Sequence, residues 1–186
     1  VVRPRRPDGR TRWRFAVEGD YMLHGAGAST VDAPIYVSDL GGRLYALSAD
    51  GGLLWILDAL RGQEGGGSEG PVAVGADGTA YVGVNPLGED VDLVAVSPEG
   101  DILWVFSDPG AWSIAAGPAI GPDGNVYVVF HGPGGASAGA VSLTRQGSVR
   151  WTQPGSPAMF EHGGIGAPIA FGASVPGGAI DQMNVT

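Results

Sequence analysis

Three histidines are the side chains in this sequence best suited to metal binding or proton transfer: His24, His131 and His162. They stand far apart in the chain, so no two of them have the close spacing typical of two ligands on one element. The sequence contains no cysteine, which excludes a thiolate nucleophile, a thiolate metal site and a disulfide framework. We therefore predict surface histidines and assign no metal ligand.

Acidic side chains provide two further candidates for chemistry. Glu89, Asp90 and Asp92 fall in one short segment whose oxygens could hold Ca²⁺, although a solvated turn is the interpretation that we favour. Three other aspartates each precede a glycine, a pair typical of hairpin turns, and are interpreted as turn formers: Asp50, Asp77 and Asp123. No helical pattern follows the glycines, so no phosphate-binding loop is predicted. No catalytic, cofactor-binding or metal-binding residue is assigned.

The distribution of charge limits the partners. The net charge is −9, all ten basic residues are arginine, and six of them lie in the first fourteen residues. The acidic remainder argues against binding to nucleic acid or to an anionic membrane surface. The arginine-rich start is either an interaction or juxtamembrane arm or a solvated terminus, and we favour the terminus. No apolar run is long enough to predict a transmembrane helix, and no signal peptide is recognisable.

The elements that must position any site are repeated. Tryptophan follows glycine by four residues in four segments, and the tryptophans are 42, 49 and 47 residues apart: Gly9 and Trp13, Gly51 and Trp55, Gly100 and Trp104, Gly147 and Trp151. A second column of Tyr-Val pairs, at Tyr36, Tyr81 and Tyr127, keeps the same period. A period of this length is typical of propeller blades.

Each repeat reads as four short strands, A to D, rich in Val, Ile, Leu and Tyr and separated by glycine-bearing turns. Such sheets bury both faces when they stack around an axis, which explains why the strands show little alternation of apolar and polar residues. We interpret the four tryptophans as packing residues at the seams between blades, and the paired glycines as the space for their rings. The sequence therefore predicts an all-β propeller of four-stranded antiparallel blades.

The segment from Ile35 to Trp55 resembles the pyrroloquinoline-quinone-like (PQQ-like) repeat family. That family's tryptophan-docking motif runs from Ala through Asp and Gly to Trp, and it matches Ala46, Gly51 and Trp55 here. The copy that ends at Trp151 departs from the pattern, with Ser142 in place of Ala and Gln146 in place of the acid. The resemblance covers about residues 8–172 and implies the propeller fold, whereas fold alone does not fix activity.

The repeats predict an incomplete ring: three full blades with partial blades at both ends. Residues 8–15 are interpreted as the final strand of a preceding blade, and residues 166–186 as the start of a further blade. The full blades are predicted at 26–57, 70–107 and 117–152. Closed propellers have about four to eight blades. The two ends could meet in a four-blade ring with one short blade, but such blades would be strongly splayed, so we favour a segment of a larger ring.

The long connections are predicted to share one rim of the propeller. Because strands alternate in direction, A–B and C–D turns lie at one rim, and B–C and D–A loops lie at the other. The predicted D–A loops are 17–25, 58–69, 107–116 and 154–165, and loops on a rigid scaffold tend to carry function. We therefore predict a partner-binding rim with these residues: Tyr21, His24, Arg61, Trp112, His131, Phe160 and His162.

Two main functions remain open from the sequence, with a purely structural extracellular array that has no rim partner as a third possibility. The first is a non-catalytic binding or scaffold propeller that presents its loop rim to a protein or peptide. The alternative is a fragment of a quinoprotein dehydrogenase that uses pyrroloquinoline quinone and Ca²⁺, although none of that enzyme's site residues maps onto this chain. The resemblance implies an extracytoplasmic location, periplasmic or at the cell surface. The sequence does not indicate an oligomeric state.

Overall fold

The structure is a computed structural model, and it describes residues 2–5, 7–17, 23–30, 32–58, 67–68, 71–85, 91–108, 113–114, 117–131 and 139–154. Within these ranges every regular element is a β-strand, which confirms the all-β prediction. None of the described residues forms a helix with the length and apolar character needed to cross a membrane. The predicted start of a further blade at 166–186 lies outside the described residues.

The first blade is a four-stranded antiparallel sheet in chain order. Its strands, from A to D, are β1 (Leu23–Gly27), β2 (Ile35–Asp39), β3 (Leu44–Leu47) and β4 (Leu53–Leu57). Strands β2 and β3 pair in regular register, and β3 and β4 pair with one irregularity next to Leu47. The residues of β3 are all buried, so this strand lies at the centre of the sheet.

The second and third blades repeat this order, but their A strands are split into two short pieces. In the second blade β5 (Gly67–Ser68) and β6 (Ala73–Val74) both pair with β7 (Ala80–Asn85), followed by β8 (Val91–Val96) and β9 (Ile102–Asp108). In the third blade β10 (Ser113–Ile114) and β11 (Ala119–Ile120) pair with β12 (Val126–His131), followed by β13 (Gly139–Leu143) and β14 (Val149–Gln153).

The split A strands correct part of the loop prediction. Strands β5 and β10 fall inside the stretches predicted as D–A loops, 58–69 and 107–116, and β1 begins inside the predicted loop 17–25. Pro71 and Pro118 lie between the two pieces of each split strand, and proline has no N–H to donate to a ladder. The first piece of each A strand is therefore separated from the apolar residues that indicate the second piece. Its own two residues are too few to show a strand pattern.

The N-terminal segment is a hairpin. Residues 8–15 are predicted as a lone D strand, and the structure adds a partner, because the backbones of Val2 and Phe15 bond reciprocally at 2.8 and 3.1 Å. The N–H of Arg12 also donates to the carbonyl of Pro4 at 2.9 Å. Residues 2–15 thus correspond to the C and D strands of a blade. Arginine and proline in the first strand hid it from sequence reasoning, because neither contributes to an apolar alternation.

The core lies between the sheets, as radial stacking requires. Along β7, Ala80, Val82 and Val84 pack against the first blade, whereas Tyr81 between them packs against the third. Strand β8 divides its residues in the same way, so the second blade buries both of its faces. This arrangement confirms the predicted propeller packing and explains the continuous apolar strands.

Candidate functional site

The C–D turns share one tightly closed geometry. In the first blade the N–H of Ser48 donates to the carbonyl of Gly52 at 2.8 Å, and the N–H of Gly51 donates back to the carbonyl of Ser48 at 2.9 Å. The same pair of bonds recurs in the turns that begin at Ser97 and Thr144. The glycine of each turn has a left-handed backbone, with φ of 93°, 97° and 83° at Gly51, Gly100 and Gly147.

Each of these turns receives a tryptophan from the preceding repeat, so each ring lies on the glycine of the next repeat and not, as predicted, on the glycine paired with it in its own repeat. The indole Nε1 of Trp55 donates to the carbonyl of Pro98 at 2.8 Å, and its ring lies so close to Gly100 that a Cβ there would stand 3.1 Å from the ring. Trp104 lies on Gly147 in the same manner and donates to the carbonyl of Arg145 at 2.9 Å. The acceptor is always the carbonyl two residues before the glycine.

The N-terminal hairpin joins the first blade through an equivalent seam. Trp13 donates to the carbonyl of Ala49 at 2.9 Å, and a Cβ on Gly51 would stand 2.5 Å from its ring. Phe15 also packs edge-on against Tyr45, with 6.2 Å between ring centroids. One hairpin and three blades are therefore connected by three seams of one design.

Tyrosines of the B strands pack against the tryptophans of the seams. Tyr36 lies beside Trp55, and Tyr81 beside Trp104, each with ring centroids 5.7 Å apart. The hydroxyl of Tyr36 donates to the carbonyl of Gly78 in the second blade at 3.0 Å. Burial, and to a lesser degree the charge of Glu99, raises the pKa of Tyr36. These contacts hold the described blades together as one block.

The opposite rim carries a buried polar cluster that sequence reasoning missed. Asp39, at the end of β2, is fully buried and accepts bonds from the N–H of Arg43 at 3.0 Å and the hydroxyl of Tyr45 at 2.8 Å. The Arg43 guanidinium also lies 3.4 Å from a carboxylate oxygen of Asp58. Burial is the main reason that the pKa of Tyr45 is raised. Both oxygens of Asp39 accept hydrogen bonds from its own blade, so the cluster fixes the B–C turn.

The residues predicted for the partner-binding rim fall largely outside the described part of the chain. His24 lies in β1 and His131 ends β12, and only their backbones are described. The other five lie outside the described residues: Tyr21, Arg61, Trp112, Phe160 and His162. Among the residues that the structure describes, no three His, Cys, Asp or Glu side chains stand close enough to hold a metal ion. The rim therefore stays a prediction.

The outer D strands form a second surface that the sequence did not reveal. Leu54 and Ile56 of β4 are 52% and 48% exposed, and Leu103 and Val105 of β9 are 53% and 50% exposed. Within the described residues β4 pairs only with β3, so its other edge offers free backbone groups. Edge strands of soluble proteins usually carry charged residues that discourage pairing, and β4 carries none.

Comparison with known proteins agrees with this architecture. The family model described as outer membrane protein assembly factor BamB matches residues 1–159, which confirms the resemblance to PQQ-like repeats. BamB from Moraxella catarrhalis is similar with a TM-score of 0.57 and 20% identity over 78% of this chain. The Dos1 propeller is similar with a TM-score of 0.62 and 15% identity over 82%. At these identities the likeness concerns the fold.

The chain spans about two-fifths of the length of both solved propellers, 40% of the Moraxella catarrhalis protein and 41% of the Dos1 propeller. No curated protein matches the sequence.

Proposed function

Because the chain belongs to the PQQ-like repeat family described as outer membrane protein assembly factor BamB, we propose that it is a non-catalytic scaffold propeller that binds a protein or peptide. The family description supports this, since a factor that assembles proteins must contact them. It also associates the family with the outer membrane, and we propose an extracytoplasmic location for this chain. The binding surface that we propose is the rim of the B–C and D–A connections.

The two rims differ in the length of the connections that leave them, and this difference is the observation that carries the proposal. Four-residue turns and docked tryptophans fill most of one rim, whereas the connections 86–90 and 132–138 both leave from the other. The connection 28–34 in the first blade is an exception that sequence reasoning overlooked, because this A–B link is longer than the other two. Loops held on a rigid scaffold tend to carry binding residues, which favours this rim as the binding surface.

The outer strands supply a mode of binding that fits a peptide. Strand β4 has an unpaired edge within the described residues and exposed Leu54 and Ile56 beside it. An extended segment that adds to such an edge gains backbone hydrogen bonds, and alternate side chains gain apolar contacts. Strand addition is therefore the form of contact that we propose for an extended partner at the sides of the blades.

Site-specific photocrosslinking tests the binding surface. A benzophenone amino acid is placed at Trp112 on the proposed rim, at Leu54 on the outer edge, or at Ala76 in a tight A–B turn, with the chain at native level in its host cell. We expect one defined protein adduct from position 112 and one from position 54, at the edge to which a partner strand is proposed to add. We expect no adduct from position 76. Equal adducts at all three positions, or none at any, would contradict the proposal.

The quinoprotein alternative has a direct test of its own. Purified chain is mixed with pyrroloquinoline quinone and Ca²⁺, and bound chromophore is measured after gel filtration. A scaffold propeller is expected to retain no quinone, since none of the described residues has been assigned to a quinone or calcium site. Stoichiometric retention that Ca²⁺ removal abolishes would favour the dehydrogenase fragment instead.

A further inference from the structure

The exposed apolar side chains of the described residues are concentrated in the outer D strands. Nine large apolar side chains are exposed in this part of the chain, and eight of them lie in D strands. Six of the eight belong to the D strands of the first two blades, β4 and β9: Leu53, Leu54, Ile56, Ile102, Leu103 and Val105. The outer surface of these two blades is therefore apolar.

Strands β4 and β9 each have a packed face and an open face. Trp55 and Leu57 of β4 pack against the core cluster between the first and second blades, whereas Leu54 and Ile56 alternate with them and are exposed. The same alternation recurs in β9. Among the described residues each of the two strands pairs only with the C strand of its own sheet, so its outer edge offers backbone N–H and C=O groups.

Carboxylates stand at both ends of each of these strands. Strand β4 lies between Asp50 and Asp58, whereas β9 follows Asp101 and ends at Asp108. Neither arginine nor lysine occurs in residues 50–58 or 99–108. The seven residues of β9 span about 23 Å in extended form. Each strand thus combines an apolar face and a free edge with negative charge at both ends.

The D strands on either side of this pair have a different composition. Arg150 and Thr152 flank the tryptophan of the third blade, and Arg12 and Arg14 flank the tryptophan of the N-terminal hairpin. These positions carry the exposed leucine, isoleucine and valine on β4 and β9. The apolar strand with acidic ends is therefore a feature of two blades and not of the repeat in general.

We propose that the outer edges of β4 and β9 each bind an extended segment of a partner protein with apolar residues at alternate positions and Arg or Lys at both ends. This inference rests on the strand addition proposed above and specifies the chemistry of the partner. The backbone of the segment pairs with the free edge, its apolar side chains cover the open face, and its basic ends lie beside the carboxylates.

Charge selects this occupant among those that an apolar strand could take. The net charge of −9 disfavours an anionic lipid surface. A second copy of this chain carries the same acidic ends, so pairing of β4 or β9 between copies would bring carboxylates together. A segment with basic ends satisfies the free edge, the apolar face and the carboxylates at once.

Binding of two synthetic peptides tests the proposal. The first is Arg-Val-Thr-Val-Thr-Val-Arg with blocked ends, and the second has glutamate in place of both arginines. Fluorescence anisotropy of the labelled peptides with the whole chain at low salt is expected to show at least about tenfold tighter binding of the arginine-ended peptide. Salt screens the end charges and reduces this difference. Equal binding of both peptides, or binding of neither, would overturn the proposal.

An exchange of side chains between blades locates the bound peptide. Leu103→Arg with Val105→Thr gives β9 the residues that the third blade has beside its tryptophan, and is expected to reduce the peptides bound per chain from two to one in a calorimetric titration. Leu54→Arg with Ile56→Thr does the same for β4, and the combined variant binds none. The matched control Val149→Thr, at an equally exposed site of β14, leaves binding intact. Unchanged binding by the combined variant would overturn the proposal.

Removal of one carboxylate tests the contribution of the charged ends. Asp101→Asn is expected to weaken binding of the arginine-ended peptide at one of the two sites without weakening the glutamate-ended peptide. The control Asp32→Asn removes an exposed carboxylate from the A–B connection of the first blade and leaves both peptides unaffected. Equal effects of the two substitutions would overturn the assigned position of the basic ends.

The other occupants and the proposed function give distinguishable results. Vesicles of neutral phosphatidylcholine that bind the wild-type chain but not the combined variant would overturn the proposal in favour of a lipid surface, and self-association lost in that variant would overturn it in favour of a second copy. Circular dichroism and thermal unfolding confirm that the variants are folded. A protein adduct from position 112 without peptide binding would overturn this inference alone, whereas the loss of both would overturn the proposed function as well.

Discussion

At the scale of single residues, the seam glycines meet two independent demands. Gly51, Gly100 and Gly147 each adopt a left-handed φ, and each lies directly beneath a tryptophan ring. The left-handed backbone disfavours any L side chain by about 1–2 kcal/mol. The tryptophan ring leaves no space for even a methyl group unless the ring moves. The pairing of glycine with tryptophan across the seam is therefore a steric requirement as well as a conformational one.

Two glycines of the third blade allow the conformational requirement and the steric requirement to be tested separately. Gly147→Ala is expected to lower the free energy of unfolding by about 1–3 kcal/mol more than Gly124→Ala does. Both positions have a positive φ, 83° and 76°, but a Cβ at Gly147 would stand 2.8 Å from the Trp104 ring, whereas the atoms near Gly124 belong to the flexible end of Arg145. Urea denaturation of the two variants measures the difference. Equal losses would show that backbone conformation alone selects glycine.

The buried tyrosines predict how stability responds to alkaline pH. Burial raises the pKa of Tyr36, Tyr45 and Tyr81 above 10.0. Between the unfolded and folded pKa values the unfolded chain has lost the proton and the folded chain still holds it, so unfolding is favoured as pH rises. The contribution of these groups to stability is therefore complete below about pH 10 and declines above it. Denaturation midpoints between pH 8 and pH 11.5 measure the decline, which Tyr36→Phe is expected to make shallower; an unchanged slope contradicts this account.

At the scale of elements, the sequence predicted the parts that combine a side-chain pattern with a turn signal. Strands β7, β8, β12 and β13 are apolar runs next to glycine turns, and the tyrosine column of the B strands together with the tryptophan column of the D strands sets the register of the repeats. The short pieces β5 and β10 carry no pattern, since pairing with a longer neighbour defines them. The buried Asp39 was equally hidden, because an Asp-Leu-Gly-Gly-Arg segment reads as a solvated turn until Tyr45 and Arg43 are seen to bond to it. The proposed rim depends on long connections, and the sequence of a connection shows its length but does not predict its conformation.

A substitution in the outer strand β4 is expected to change aggregation without changing the stability of the fold. Leu54→Lys is expected to change the free energy of unfolding by less than about 0.5 kcal/mol, since the side chain is already 52% exposed, and to slow aggregation on heating. A lysine on the free edge charges a surface that would otherwise template strand pairing. Light scattering during a thermal ramp measures aggregation, with Leu44→Lys at a fully buried site of the same sheet as the destabilising control. Faster aggregation of the Leu54→Lys chain would show that β4 is already covered.

At the scale of the whole molecule, the blades stabilise one another mainly through their neighbours. Among the described residues, strand pairing stays inside each sheet, and side-chain packing, seam bonds and the ion pair between Arg145 and Asp77 at 4.0 Å connect one sheet to the next. Inner strands also contact across the seams, β6 against β11 and β2 against β5. Stability in such an array is approximately a sum of blade and interface contributions.

The middle blade is therefore expected to be the last to open. Its residues contribute to both interblade clusters and it takes part in two tryptophan seams, whereas among the described residues the third blade contributes to one cluster and one seam, with β14 exposed. Amide hydrogen exchange near neutral pH should be slowest in β7 and β8, and faster in β13, although β13 is also a central strand of its sheet. Trp104→Ala removes one seam of the middle blade and should reduce protection in β12 and β13 more than in β2 and β3. Uniform loss of protection in all three blades would indicate one cooperative unit instead of a chain of coupled neighbours.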